Sequence, residues 1–361
     1  MKSGFFRHYL LPGVVFQSVI IGGGYATGRE LAAFFLPSGP GGGLLAIGVA
    51  TVIWSVTLAL SFELARASRS YDYRSFFKEL IGPGWVLFEL AYLALLLLVL
   101  SVVGAASGVV VAASFGLDPL VGTLGLLVAI GFLAFYGSGA IERFLAGWSF
   151  VLYATYIVLV VWVFVVFGDR IVGNFGQYGV GAGWFKGGVS YAGYNVAGIA
   201  AVLFCIRHLA SRRQAVVAGL LAGPIAMIPG LLLFLAVVAF YPEISTQEVP
   251  LNFLVGELGA PRFLILFQIV IFGTFIETGI AMIHAINERV ATEFEARKAV
   301  MPRWLRPAIA VTILILATYG ATEIGLIDLI AQGYGTLTWV FVAIFLAPLF
   351  LLGMWRIRAH S

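Results

Sequence analysis

The stretch Ile21-Gly-Gly-Gly-Tyr-Ala-Thr-Gly-Arg-Glu30 lies inside an apolar run from residue 9 to residue 36, long enough to cross a bilayer. It is built to interrupt a helix, because each of Gly22, Gly23 and Gly24 disfavours helix by ~1 kcal/mol relative to alanine. Thr27, followed three residues on by Glu30, has the spacing of a capping box, which starts a fresh helix. The expectation is two half-helices, 9 to 21 and 27 to 36, joined by extended backbone near the middle of the membrane. Such backbone is tolerated in hydrocarbon only where protein buries it or it lines a wet cavity, since an unpaired N–H or C=O is costly there. The glycines therefore point to a site.

Outward from this stretch, the 361 residues are 61% hydrophobic and 11% charged, with a mean hydropathy of +1.04, the composition of a polytopic membrane protein. No polar stretch is long enough to bury a core of its own, so a single membrane domain over residues 1 to 361 is expected, with the lipid bilayer as its surroundings. The net charge of +4 comes from basic residues scattered in short loops, which is no nucleic-acid footprint. Cys205 is the single cysteine and excludes an intrachain disulfide. Lys2 and Arg7 precede an apolar run as in a signal peptide, but no small-residue cleavage site follows.

Charge-free intervals divide the chain into ten expected transmembrane segments: 9 to 36, 44 to 65, 85 to 114, 119 to 136, 146 to 168, 184 to 206, 214 to 240, 262 to 287, 307 to 323 and 327 to 355. Assigning alternate loops to one side gathers 17 of the 21 Lys and Arg residues there. By the positive-inside rule that side is the cytoplasm, which places both termini inside the cell and the protein in the plasma (inner) membrane.

Segment 6 repeats the glycine interruption in Gly187-Gly-Val-Ser-Tyr-Ala-Gly-Tyr-Asn-Val-Ala-Gly198, with Ser190 and Asn195 available as caps for a restarted helix. Segments 1 and 6 open two five-helix halves, 9 to 168 and 184 to 355, and run in opposite directions. Paired Gly-interrupted segments in corresponding positions of two inverted halves mark a transporter binding site. The expected substrate contacts are Gly22, Gly23, Gly24, Tyr25, Ser190, Tyr191, Gly193, Tyr194 and Asn195.

The run from Gly22 to Glu30, the Ser38-Gly-Pro-Gly-Gly-Gly43 loop, Ser61-Phe-Glu-Leu-Ala-Arg66 and Tyr191-Ala-Gly-Tyr-Asn195 together resemble the amino acid-polyamine-organocation superfamily, and within it the YkvI-like permease group. The resemblance implies an all-α LeuT-type fold of five plus five helices with segments 1 and 6 broken, a substrate between the breaks, and alternating access driven by an ion gradient. It also implies an outer-gate role for Arg29, as in the neurotransmitter:sodium symporter branch. For Glu63 it implies hydrogen bonds from an unwound segment 6. Sodium sites of this fold use hydroxyls of segment 8, where Thr274 and Thr278 stand, but the adjacent hydroxyl pair of such sites is missing.

Read from the residues, the half-helices restarting after each break aim positive dipole ends at the centre, while the preceding halves contribute carbonyl ends. That combination suits a zwitterion, an amino acid above all, better than a sugar or a lipid. Glu30 is expected to be the capping partner of Thr27, with a substrate ligand as the alternative, and Arg29 either a gate or part of a local ion pair. Glu63 has Arg66 as an alternative partner. Glu277 lies near the middle of segment 8, and Thr274, Glu277, Ala281 and His284 form one helical stripe. Glu277 is then either the proton-coupling group, with His284 as a relay, or a structural carboxylate hydrogen-bonded to a broken helix or paired with Arg29; the proton is the expected coupling ion and sodium the alternative. No cofactor is expected.

An intramembrane enzyme would need clustered acids, a metal set or a nucleophile with its base, and no such motif occurs. A channel or a ligand sensor remains the alternative class, though nothing resembles a filter loop.

Overall fold

The computed structural model describes residues 2–135 and 139–359, which are helical almost throughout and contain no strand. Eight helical runs among them are long and apolar enough to cross a membrane. That is two fewer than the ten expected, and the difference has a local cause. Segment 1 is cut into pieces, starting with the 10-residue helix Leu11–Ile20, while segment 4 is the 17-residue helix Pro119–Phe135. The segment numbers are kept below as labels for the helices that occupy those ranges.

Segment 2 is Gly39–Ser68, segment 3 Trp85–Phe115, segment 7 Arg212–Val238, segment 8 Pro261–Ala296 and segment 9 Leu305–Glu323. Segment 5 belongs to a longer helix, Gly139–Gln177, kinked at Phe167. The end of segment 4 at Tyr136 lies outside the residues whose placement is described. Segment 10, Leu326–Ala359, contains three π-helical stretches, Leu329–Tyr334, Val342–Leu346 and Leu349–Gly353.

The helices pack in two groups. Segments 1, 2, 6 and 7 lie against one another, and segments 3, 4, 8 and 9 form the second group. Small residues set both contacts. Gly219 lies on the backbone of Ala59 and Gly223 on Ser55, so that a Cβ at either would collide and segments 2 and 7 would be forced apart. In the second group Gly108 lies on Pro119 O and Gly122 on Ser107 O, and Ser107 Oγ donates to Gly104 O at 2.7 Å. Large apolar side chains such as Val128, Phe150, Val165 and Leu351 are exposed on the outside, the surface a bilayer covers.

Segment 6 departs from expectation. Trp184–Asn195 is unbroken α-helix, and the chain continues through a 3₁₀ stretch, Val196–Gly198, with right-handed helical dihedrals. One turn of α-helix resumes at Ile199–Val202 with Gly198 at its N-cap, so Ser190 and Asn195 do not cap it, and Asn195 Nδ2 donates back to Tyr191 O. Its glycines serve close approach instead: Gly187 lies on Phe34 O, Gly188 on Ala46 O and Gly193 on Thr338, leaving no room for a Cβ. Glu63, expected to hold an unwound segment 6, is instead bidentate to Arg66, with both hydrogen bonds at 2.8 Å. The segment 2 side chain that reaches segment 6 backbone is Trp54, whose Nε1 donates to Ala192 O at 3.2 Å.

Candidate functional site

The break of segment 1 has two steps. Leu11–Ile20 ends where Ile21 turns to ψ 76° and Gly22 is extended at φ −107°, ψ −166°. Gly22 N donates to Ile20 O at 2.8 Å, so the i→i−4 ladder stops there. One helical turn, Gly23–Ala26, follows, and then Gly28 adopts the left-handed conformation at φ 77° and becomes the N-cap of Arg29–Phe34. Tyr156 of segment 5 donates to Ala26 O at 3.2 Å, satisfying one carbonyl of the interrupted region.

This second step removes the expected capping box. The helix restarts after Gly28, not at Thr27, and Thr27 Oγ1 donates to Gly24 O at 2.8 Å and accepts from Arg29 N at 3.2 Å. Glu30 is thereby free of any capping duty. Its carboxylate turns inward, where Oε2 accepts a 2.6 Å hydrogen bond from the Tyr194 hydroxyl of segment 6. Nor does Arg29 pair with Glu30. Its Nη1 donates to Ser245 O and Gln247 O, both at 2.8 Å, in the connection between segments 7 and 8. Leu251 N also donates to Thr27 O at 3.0 Å, so that connection is tied across one end of the broken segment.

Between the two helix groups lies a cavity of about 60 Å³, with Gly22, Glu30, Tyr92, Tyr194, Asn195, Thr278 and Tyr334 among its walls and Leu95 and Leu96 as an apolar side. A second cavity of about 440 Å³ is lined by Asp72, Tyr73, Arg74, Tyr92, Arg289 and Thr292. Tyr92 forms a wall of both. Its ring is held by Arg289, whose guanidinium lies 4.1 Å from Tyr92 and 4.3 Å from Tyr73 and pairs with Glu89 at 3.3 Å. The larger cavity, or vestibule, and the smaller one thus share a clamped aromatic ring as a wall.

Of the residues expected to contact substrate, the structure brings Gly22, Tyr194 and Asn195 to the cavity wall. Gly24 lies behind Glu30, against its Oε1. Tyr25 and Tyr191 are buried outside the lining. Tyr191 packs on Phe35 at 4.7 Å and Trp54 at 5.5 Å. Ser190 and Gly193 face segment 10, where Thr338 Oγ1 donates to Ser190 O at 2.6 Å.

On segment 8, Thr278 reaches the cavity, whereas Thr274 is buried and donates to its own helix at Val270 O (3.0 Å). Glu277 is half-buried within electrostatic reach of Tyr153, and His284 is exposed. Among the described residues no cluster of three or more His, Cys, Asp or Glu side chains could hold a metal ion.

Sequence reasoning missed Tyr92, Arg289 and Tyr334. The third had a signal, since Gly333 and Gly335 flank Tyr334 much as glycine precedes Tyr25. Arg289 and Glu89 read as interfacial charges, and their pairing across 200 positions has no local signature.

No family model and no curated protein matches the sequence. Among solved structures the chain is similar to that described as "Crystal structure of MhsT in complex with L-phenylalanine", with a TM-score of 0.51 and 17% identity over 97% of this chain and 94% of that one. It is also matched to a manganese transporter mutant from Eremococcus coleocola, with a TM-score of 0.42 and 11% identity over 99% of this chain and 96% of that one. The first likeness runs nearly end to end and is one of fold: the chain takes the LeuT-type fold.

Proposed function

We propose that this protein is a secondary active transporter of a small solute bearing an ammonium group, most simply an amino acid, and that it works by alternating access. The observation that carries the proposal is the cavity at the segment 1 break, where extended backbone at Gly22 and the Glu30 carboxylate meet segments 3, 6, 8 and 10. Extended backbone facing a cavity between the two helix groups is the arrangement this class of transporter uses to bind solute. The two groups support the reading of two inverted halves: segment 1 packs on 7 as 6 packs on 2, and 3 packs on 9 as 8 packs on 4.

The proposed coupling ion is the proton, with Glu277 as the titrating group and His284 as its relay. Sodium is the alternative, with the Thr278 side chain on the cavity wall. The basic loops assign the vestibule with Arg74 and Arg289 to the cytoplasmic side of the plasma membrane.

The test is uptake by the purified protein in liposomes against a panel of amino acids, with sodium and pH gradients imposed separately. Saturable accumulation of one or a few amino acids driven by a gradient is the expected result. Flux that never saturates would assign the protein to the channels, and binding without movement to the sensors.

A further inference from the structure

Glu30 presents an electrostatic debt that the protein does not settle. It is 4% exposed, deep in an apolar bundle, and it takes part in no ion pair among the described residues. The adjacent cation, Arg29, is turned away to two backbone carbonyls of the 243–251 connection. A carboxylate in such a setting is costly unless it is paired or neutralised.

The surroundings hold this carboxylate in place instead of hiding it. Tyr194, its one hydrogen-bond donor among the described residues, stacks on Tyr334 with ring centroids 4.4 Å apart and planes 9° apart, which fixes the hydroxyl. Gly24 lies against the other oxygen, and a Cβ there would collide with it. Both contacts leave the group on the wall of the small cavity, beside the extended backbone at Gly22.

We infer that the Glu30 carboxylate, oriented by Tyr194, is the counter-charge for the cationic nitrogen of the cargo, so that the site selects organic ammonium compounds. The inference rests on the proposal that this cavity holds the transported solute. The chemistry of the walls favours an organic ammonium over a metal ion. One carboxylate and a few hydroxyls make a poor metal site, whereas the aromatic rings of Tyr92, Tyr194 and Tyr334 suit a soft cation and Leu95 and Leu96 suit its carbon skeleton.

The experiment measures thermal stabilisation of the purified protein by matched compounds: each small amino acid, the same skeleton without the amino group, and the same skeleton without the carboxyl group. Stabilisation by ammonium-bearing compounds and not by the deaminated acids is expected, with affinity at least ten-fold weaker in Glu30→Gln and in Gly24→Ala, whose added methyl displaces the carboxylate. Equal binding of an amino acid and its deaminated acid, or no binding of any ammonium compound, overturns the inference on the wild-type protein alone, whether or not the variants fold. Unchanged affinity in a monodisperse Glu30→Gln protein also overturns it. Lost pH-driven uptake with unchanged affinity would give Glu30 to the proton, and overturns it too. The reading of the protein as a transporter fails separately, if liposomes accumulate no solute of any charge; absence of binding by any ammonium compound removes only the ammonium cargo from that reading.

Discussion

Glycine, the residue that marked this fold, does two different things in it. At Gly28 it permits left-handed backbone that other residues resist, while at Gly187, Gly188 and Gly193 it permits helices to touch. Both uses follow from the missing Cβ, so the sequence alone shows where glycines cluster and not which use they serve. The segment 1 break was legible because three consecutive glycines exceed what packing needs. The role of Glu30 was not, since the capping-box spacing counts residues and carries no information about the left-handed turn at Gly28.

Glu277 illustrates the same limit. The stripe with Thr274 and His284 was legible, but which neighbours face that stripe depends on tertiary packing. If Glu277 couples proton movement to transport, Glu277→Gln should exchange solute across liposomes at a near wild-type rate while losing accumulation driven by a pH gradient. Glutamine variants that still concentrate solute on a pH gradient alone would remove Glu277 from the coupling step.

The long apolar helices were legible from hydropathy, whereas an amphipathic one was not. Tyr73–Ile81 occupies what reads as a loop, since its nine residues are too few and too polar to register beside membrane spans. It buries Phe76, Phe77 and Leu80 and carries Tyr73 to the Arg289 clamp. Asp72 is its N-cap, with Oδ1 accepting from Ser75 N at 2.9 Å. Burial pushes the Asp72 carboxyl up, but hydrogen bonds from the Ser75 hydroxyl and backbone outweigh it, and the group is held below the ordinary carboxylate range. A carboxyl depressed in the folded state stabilises above its unfolded pKa, and the contribution is lost as pH falls through the folded value. Asp72→Ala should therefore cost about 1 kcal/mol near neutral pH. The gap in unfolding midpoint between wild type and variant should shrink as pH falls below about 4. A gap that is constant with pH would show that the cap acts without its charge.

If the protein works by alternating access, the tie at the Arg29 end of segment 1 and the larger cavity beyond Tyr92 fit a state shut on one side and approachable from the other. Arg29 ties the restarted helix to Ser245 O and Gln247 O, while Tyr92 is a wall of both the small cavity and the vestibule. The tie consists of two hydrogen bonds from a charged group, each worth about 1.5–3 kcal/mol net. Removing them favours opening on that side by at least ten-fold, since about 1.4 kcal/mol is a factor of ten. Accessibility reads this out directly. In a Cys205→Ser background, Asn195→Cys places a thiol on the cavity wall, and a membrane-impermeant maleimide can be offered from either face of sealed vesicles. With Arg29 intact, labelling should be at least ten-fold faster from the face bearing Arg74 and Arg289. Arg29→Ala should raise the rate from the opposite face and narrow that ratio, because the connection no longer holds the outer half of segment 1 closed. Equal labelling from both faces with Arg29 present would mean that the tie does not seal the cavity, and that the closed side of the transport cycle is held by other contacts.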